Sequence, residues 1–129
     1  MVRKLNIDLA KAEQAARKLA PELTGGETLA LIGRLGSGKT TFTQALGKAL
    51  GIRQKILSPT FVLMQEYPVP GTKLFLYHLD LYRTVSWADL EAIGLPQIWR
   101  RPDTITIIEW ADKIQRHLPE KTLYIYLKR

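Results

Sequence analysis

Hydrophobic and polar positions change period several times along this chain, and each change marks an element. Residues 3–7, Arg-Lys-Leu-Asn-Ile, predict a short first strand. From residue 8 to residue 23 the period becomes helical. Leu9, Ala12, Ala16, Leu19 and Ala20 share one face, Asp8 is placed to cap the free amides, and Pro21 closes or bends the end. Gly25-Gly26 reads as a turn. Residues 28–32, Thr-Leu-Ala-Leu-Ile, form a continuous apolar run, the pattern of a strand buried on both faces. A glycine-rich stretch follows, and residues 41–50 then return to helical spacing with Phe42, Leu46, Ala49 and Leu50 on one side and Gly51 as the stop.

The second half begins with a loop centred on Ser58-Pro59-Thr60. Apolar runs at 61–67 and 73–79 flank Pro68-Val69-Pro70-Gly71-Thr72, which predicts a hairpin. Ser86-Trp87-Ala88-Asp89 has the form of a capping box opening a short helix that ends near Gly94. Residues 104–108 are a β-branched strand, 111–117 a short helix stopped before Pro119, and 122–127 a last strand. The sum is an α/β chain: a mixed, mainly parallel sheet with helices packed against it, in one domain over residues 1–129, with no internal repeat or low-complexity linker.

Composition narrows the chemistry. Hydrophobic residues make up 46% of the 129, enough for a real core, and argue against a disordered chain. There is no cysteine, so thiol catalysis, disulfides and cysteine-ligated metals are excluded. No window approaches the length of a membrane span and the first residues lack the apolar stretch of a signal peptide; a cytoplasmic protein is expected. Nineteen Lys and Arg against twelve Asp and Glu give a formal charge of +7, with the cations scattered along the chain. Such a surface keeps a protein soluble, and its net excess also favours polyanions.

The strongest chemical signal is Gly33-Arg34-Leu35-Gly36-Ser37-Gly38-Lys39-Thr40, a full match to G-x-x-x-x-G-K-[ST]. Glycines at 33, 36 and 38 allow a tight turn whose N–H groups converge on an anion. The helix that opens near Lys39 adds unpaired amides and the positive end of its dipole. Lys39 supplies charge for the β- and γ-phosphates, and the Thr40 hydroxyl is a ligand for Mg2+. The motif lies between a buried-strand pattern and a helical one, the context that such a match requires. A dinucleotide fingerprint fits worse, because it needs glycine where Thr41 stands. The expected architecture is therefore a three-layer fold of the P-loop NTPase kind.

Hydrolysis of ATP also needs acids near the metal. The apolar run 73–79 delivers Asp80, and residues 104–108 deliver Glu109, followed by Trp110. Strand carboxyl ends converge on the ligand crevice of an open α/β sheet. Asp80 is the preferred metal-side carboxylate, while Glu109 is a candidate for metal binding or for holding the attacking water. Thr60 occupies the place of a switch threonine that closes over γ-phosphate and Mg2+. His78 reads as a packed or surface histidine and His117 as a helix-end cation; two histidines without cysteines do not make a zinc site. Arg83 can approach phosphate, a partner or a surface acid. Trp110 is a stacking or wall residue beside the site, and Trp87 and Trp99 are core or interface.

Taken together the motifs resemble the TsaE (YjeE) family. The matching segments are residues 33–41, Ser58-Pro59-Thr60-Phe61, Tyr67, His78-Leu79-Asp80-Leu81-Tyr82-Arg83, residues 90–95, Ile107-Ile108-Glu109-Trp110-Ala111 and Leu118-Pro119. The resemblance implies a magnesium-dependent ATPase, weak alone, that acts with TsaB and TsaD in placing threonylcarbamoyl on the adenosine beside a tRNA anticodon. It supports turnover of that pair and does not make the threonylcarbamoyl adenylate. TsaB and TsaD are the implied partners, and tRNA within their complex is a further candidate. ATP and Mg2+ are the implied cofactors. Residues 33–41, with Gly33, Leu35, Gly36, Ser37, Gly38, Lys39, Thr40 and Thr41, and also Trp110, would hold the nucleotide. Lys39, Thr60 and Glu109 would be catalytic, and Thr40, Asp80 and Glu109 would face the metal.

Three features depart from the pattern, the mildest being Ser37 where Ala is commoner in the family. Arg34 stands where the family usually has Asp, which adds positive charge beside the nucleotide, and the overall basic balance is unusual for the family. Two other readings compete: a small-molecule kinase, which needs a lid and an acceptor pocket, and a nucleotide-gated assembly protein with negligible hydrolysis.

Overall fold

A computed structural model describes residues 3–33, 36–56, 64–82 and 86–128, with only the backbone for 36–39. The expected alternation is present. β1 (Arg3–Asp8) leads through a 3-10 turn into α1 (Ala12–Leu19), and β2 (Glu27–Ile32) leads to α2 (Gly36–Ala49). β3 (Met64–Pro68) and β4 (Phe75–Asp80) form the hairpin; α3 (Trp87–Ala92), α4 (Leu95–Trp99), β5 (Thr104–Glu109) and β6 (Leu123–Lys128) follow.

The strands make one sheet in the order β1-β6-β2-β5-β4-β3, parallel throughout except for the antiparallel β3–β4 pair. Side chains from its two faces feed two separate cores, giving three layers. On one face Leu29, Leu31, Ile105, Ile107 and Ile125 meet Ala12, Ala16 and Leu19 of α1 and Phe42 and Leu46 of α2. On the other, Ala30, Leu79 and Ile108 meet Leu90, Leu95, Trp99, Ala111 and Ile114. Every residue of β5 is buried, because it lies between β2 and β4 and is covered on both faces.

Local differences from the sequence expectation have physical causes. The segment 8–23 is not one helix: Asp8 does cap, accepting from the Ala10 amide at 3.0 Å, but 3-10 turns flank α1 at Leu9–Lys11 and Ala20–Glu22. Pro21 lacks the N–H that would continue the ladder. The helix after the glycine stretch opens at Gly36, several residues before position 41. The capping box at Ser86 is formed by both bonds, and Gly94 ends that turn in the left-handed region at φ 84°. Beyond it lies α4, which five residues are too few to announce by periodicity. The stretch Ala111–His117 is 3-10, broken at Ile114.

One polar chain ties the hairpin to the loop before β5. Tyr77 donates its hydroxyl hydrogen to Glu66 (2.7 Å) and accepts from Arg101 (3.2 Å), and Arg101 also grips Asp103 with two bonds of 3.0 and 2.9 Å. Burial, and then the bond to Glu66, push the Tyr77 hydroxyl above its ordinary value. The hydrogen bonds from Arg101 hold the Asp103 carboxyl below the usual carboxylate range.

Three predictions follow from this packing and from the Arg101–Asp103 pair. Leu46→Ala, at a site with no exposure, should cost about 2–5 kcal/mol in urea unfolding. Ile93→Ala, 37% exposed, should stay within about 0.5 kcal/mol. The Asp103 contribution is present above the unfolded-state value and is lost as pH falls through the lower folded-state value. Asp103→Asn should therefore be less stable than the parent at neutral pH, and the gap should begin to narrow near pH about 4 and close once Asp103 is protonated in the folded state. A gap that persists into stronger acid would show that the charge plays no part.

Candidate functional site

The site is built where β2 ends and α2 begins. Gly33 follows β2 directly, and a Cβ there would lie 2.9 Å from the Leu127 carbonyl oxygen of β6, so the chain can pass this point closely only as glycine. α2 opens three residues later at Gly36, which places Gly36, Ser37, Gly38 and Lys39 in its first turn. The first amides of a helix have no partner within it, and their dipoles point the positive end at this junction. Leu35 and Arg34 lie outside the described residues, as do Thr60 with its Ser58-Pro59 neighbours, and Arg83.

Sheet order decides which acid meets the helix. β5 is the direct neighbour of β2, and β4 is one strand further out. Glu109 ends β5 and Asp80 ends β4, and the two are partners in register. The Thr40 hydroxyl, on the second turn of α2, donates to Glu109 Oε1 at 2.9 Å. The other carboxylate oxygen, Oε2, pairs with His78 Nε2 at 2.5 Å. Glu109 and His78 are both fully buried. Asp80 is half-buried, and its Oδ1 accepts from the Tyr82 amide at 2.9 Å, while the Leu81 amide donates to the Glu109 carbonyl at 3.0 Å. Thus Thr40 is joined to Glu109, and Asp80 stands beside the pair. Thr41 is exposed on α2.

Sequence reasoning took His78 for a packed or surface histidine and did not count it among the site residues. Its position in the apolar run Phe-Leu-Tyr-His-Leu-Asp, two residues before the strand-end acid, put it on the same face as Asp80. That parity was the available signal, but only the pairing of β4 with β5 shows that Glu109 shares this face.

The aromatic residues divide. Trp110 has φ 60°, the one non-glycine residue among those described with positive φ, and its half-buried ring lies 5.3 Å from the ring of Tyr82. Tyr82 is 66% exposed, and Lys113 bonds its carbonyl at 2.7 Å. Bulky residues rarely adopt this conformation, and it turns the chain sharply just after Glu109. Trp87 stacks between Trp99 and His117, parallel to the histidine ring at 4.1 Å, which gives His117 a packing role. Of the basic excess, Lys48, Arg53 and Lys55 line an open hollow of about 590 Å³ at the far end of α2.

Thr40, Glu109 and Asp80 offer oxygen atoms only, the donor set that suits a hard cation such as Mg2+, which takes one or two carboxylates plus phosphates and waters. A hydroxyl that donates its hydrogen to a carboxylate is still able to offer its oxygen to a cation. Among the described residues no three His, Cys, Asp or Glu side chains converge as a metal cage, and no helix is long and apolar enough to cross a membrane.

The fold and this junction define a three-layer α/β protein carrying the full phosphate-loop pattern between a buried strand and a helix. The family model described as "Threonylcarbamoyl adenosine biosynthesis protein TsaE" matches residues 7–129, and the chain belongs to that family. A Synechocystis protein named tRNA threonylcarbamoyladenosine biosynthesis protein TsaE is 40% identical over 110 residues, covering 83% of this chain and 68% of its own length. The Bacillus subtilis protein of the same name is 39% identical over 104 residues, covering 81% and 63%. The chain thus spans about two-thirds of the length of these relatives. The crystal structure of Bacillus subtilis YdiB superposes with a TM-score of 0.66 at 30% identity, covering 93% of this chain and 71% of the other.

The Thr40–Glu109 bond makes a prediction for the protein without ligand. Thr40→Val leaves Glu109 Oε1 buried with no partner and should cost about 1–3 kcal/mol in denaturant unfolding. An unchanged midpoint would mean that the bond is absent in solution.

Proposed function

We propose that this chain is an ATP-binding and ATP-hydrolysing component of the machinery that forms threonylcarbamoyladenosine in tRNA, and that it supports turnover of a TsaB–TsaD transferase complex. The single observation that carries the chemistry is the contact of Thr40, in the first turns of the helix that follows the glycine loop, with the buried Glu109 at the neighbouring strand end. Family membership and the names of the relatives support the pathway.

Each residue then has a task. Backbone amides of the 33–41 segment and the start of α2 hold the β- and γ-phosphates, and Lys39 adds its ammonium. Thr40, Asp80 and Glu109 present oxygens to the metal. Magnesium, when bound, neutralises charge on the phosphate oxygens. Glu109, fixed at two points, orients the water that attacks the γ-phosphorus, and Thr60 closes over the terminal phosphate. Trp110 and Tyr82 form an aromatic wall beside the crevice. Turnover is weak alone and rises with the partner complex, and the basic excess of the chain suits contact with tRNA there.

ATP hydrolysis measured with and without TsaB and TsaD tests this reading. Addition of the pair should raise turnover, and Lys39→Ala should weaken Mg-ATP binding by at least about tenfold. Undiminished binding by Lys39→Ala, or vigorous phosphoryl transfer to a metabolite, would overturn it.

A further inference from the structure

We infer that His78 is a positioning residue of this site: its Nε2–H holds one oxygen of Glu109 so that the other stays on Thr40. The inference rests on the nucleotide reading above. It comes from how the strands are paired. Glu109 lies opposite Asp80 in the β4–β5 register, and His78, two residues earlier, lies opposite Ile107. His78 and Glu109 are therefore diagonal neighbours on one face of the sheet, within reach of each other. That face is the one covered by α2, because Leu76 and Ile107, of matching parity, belong to the core that α2 shares.

A carboxylate held through one oxygen can pivot about its last bond. Glu109 is held through both, by Thr40 at Oε1 and by His78 at Oε2, and its side chain is buried in the ligand-free protein. A carboxylate only accepts, so the ring nitrogen that faces it carries the hydrogen. The other ring nitrogen, Nδ1, is buried and has no hydrogen-bond partner among the described residues. The polar capacity of the ring is therefore directed to Glu109. A side chain placed only to fill this fully buried strand position would do better without nitrogen atoms, since each must be desolvated there. The imidazole is the outer support that orients the group touching water and metal, in the manner of second partners around metal ligands.

Four variants test this: His78→Leu, His78→Gln, Glu109→Gln and the double His78→Leu/Glu109→Gln. His78→Leu should lower kcat by about tenfold or more, the usual loss when such a support is removed, with nucleotide binding in EDTA unchanged within about twofold. His78→Gln, whose amide nitrogen replaces the donor, should recover most of the rate. The double variant should be no worse than Glu109→Gln alone, because His78 acts through Glu109. A readout on the ligand-free protein is independent of turnover: 15N-histidine NMR should show a slowly exchanging Nε2–H on His78 that Glu109→Ala abolishes. Thermal unfolding identifies a variant that does not fold, and if His78→Leu is one, His78→Gln and the NMR signature carry the test. Wild-type rates in His78→Leu, multiplied losses in the double variant, a folded His78→Gln no better than His78→Leu, or no such proton signal would each overturn the inference. Turnover that Glu109→Gln abolishes and His78→Leu leaves intact removes this inference alone. A wild-type protein that neither binds nor hydrolyses ATP removes the reading beneath it and the inference with it.

Discussion

A carboxylate taken wholly out of water must have both oxygens satisfied, and in this protein that requirement organises the site. Glu109 meets it with a hydroxyl from α2 and an imidazole from β4. The three side chains come from three elements, so the bond network records their relative positions. A shift of α2 along the sheet, or of β4 against β5, would strand a buried charge, and such a group is expensive to leave unpaired.

The sheet supplies the precision. Parallel neighbours bring strand ends of one polarity to one edge, and the order β2-β5-β4 sets Gly33, Glu109 and Asp80 side by side along it. Two separately packed cores hold the sheet between layers, so its edge is a rigid base for the junction with α2. The left-handed backbone at Trp110 turns the chain away from the strand direction just after Glu109. In the proposed function this rigidity is what lets the carboxylate act on water and metal without reorganising first.

How far the sequence could be read depended on the range of each signal. The glycine motif, the buried runs and the capping box at Ser86 are local, and the structure contains the elements they predict, with the sheet mixed and mainly parallel as expected. Length limited other cases. α4 is too short to show a period, and Pro21 and Ile114 divide segments whose apolar spacing alone looks like continuous helix. Asp80 and Glu109 were both legible as strand-end acids, because an apolar run ending in a carboxylate is a local pattern. Which of them would bond Thr40 was not, since the sequence does not state strand order.

The sequence by itself determined the chemistry available at the junction: a tight glycine turn, a lysine, a hydroxyl and two strand-end carboxylates, each set by residue type and spacing over a few positions. Only the tertiary structure decided how they combine. The placement of β5 beside β2 joined Glu109 to Thr40, and the β4–β5 register turned a histidine that looked like packing into the second anchor of that carboxylate. Residues 40, 78 and 109 are far apart in the chain, and contacts between such positions follow from strand pairing and layer packing, which no short window of sequence contains.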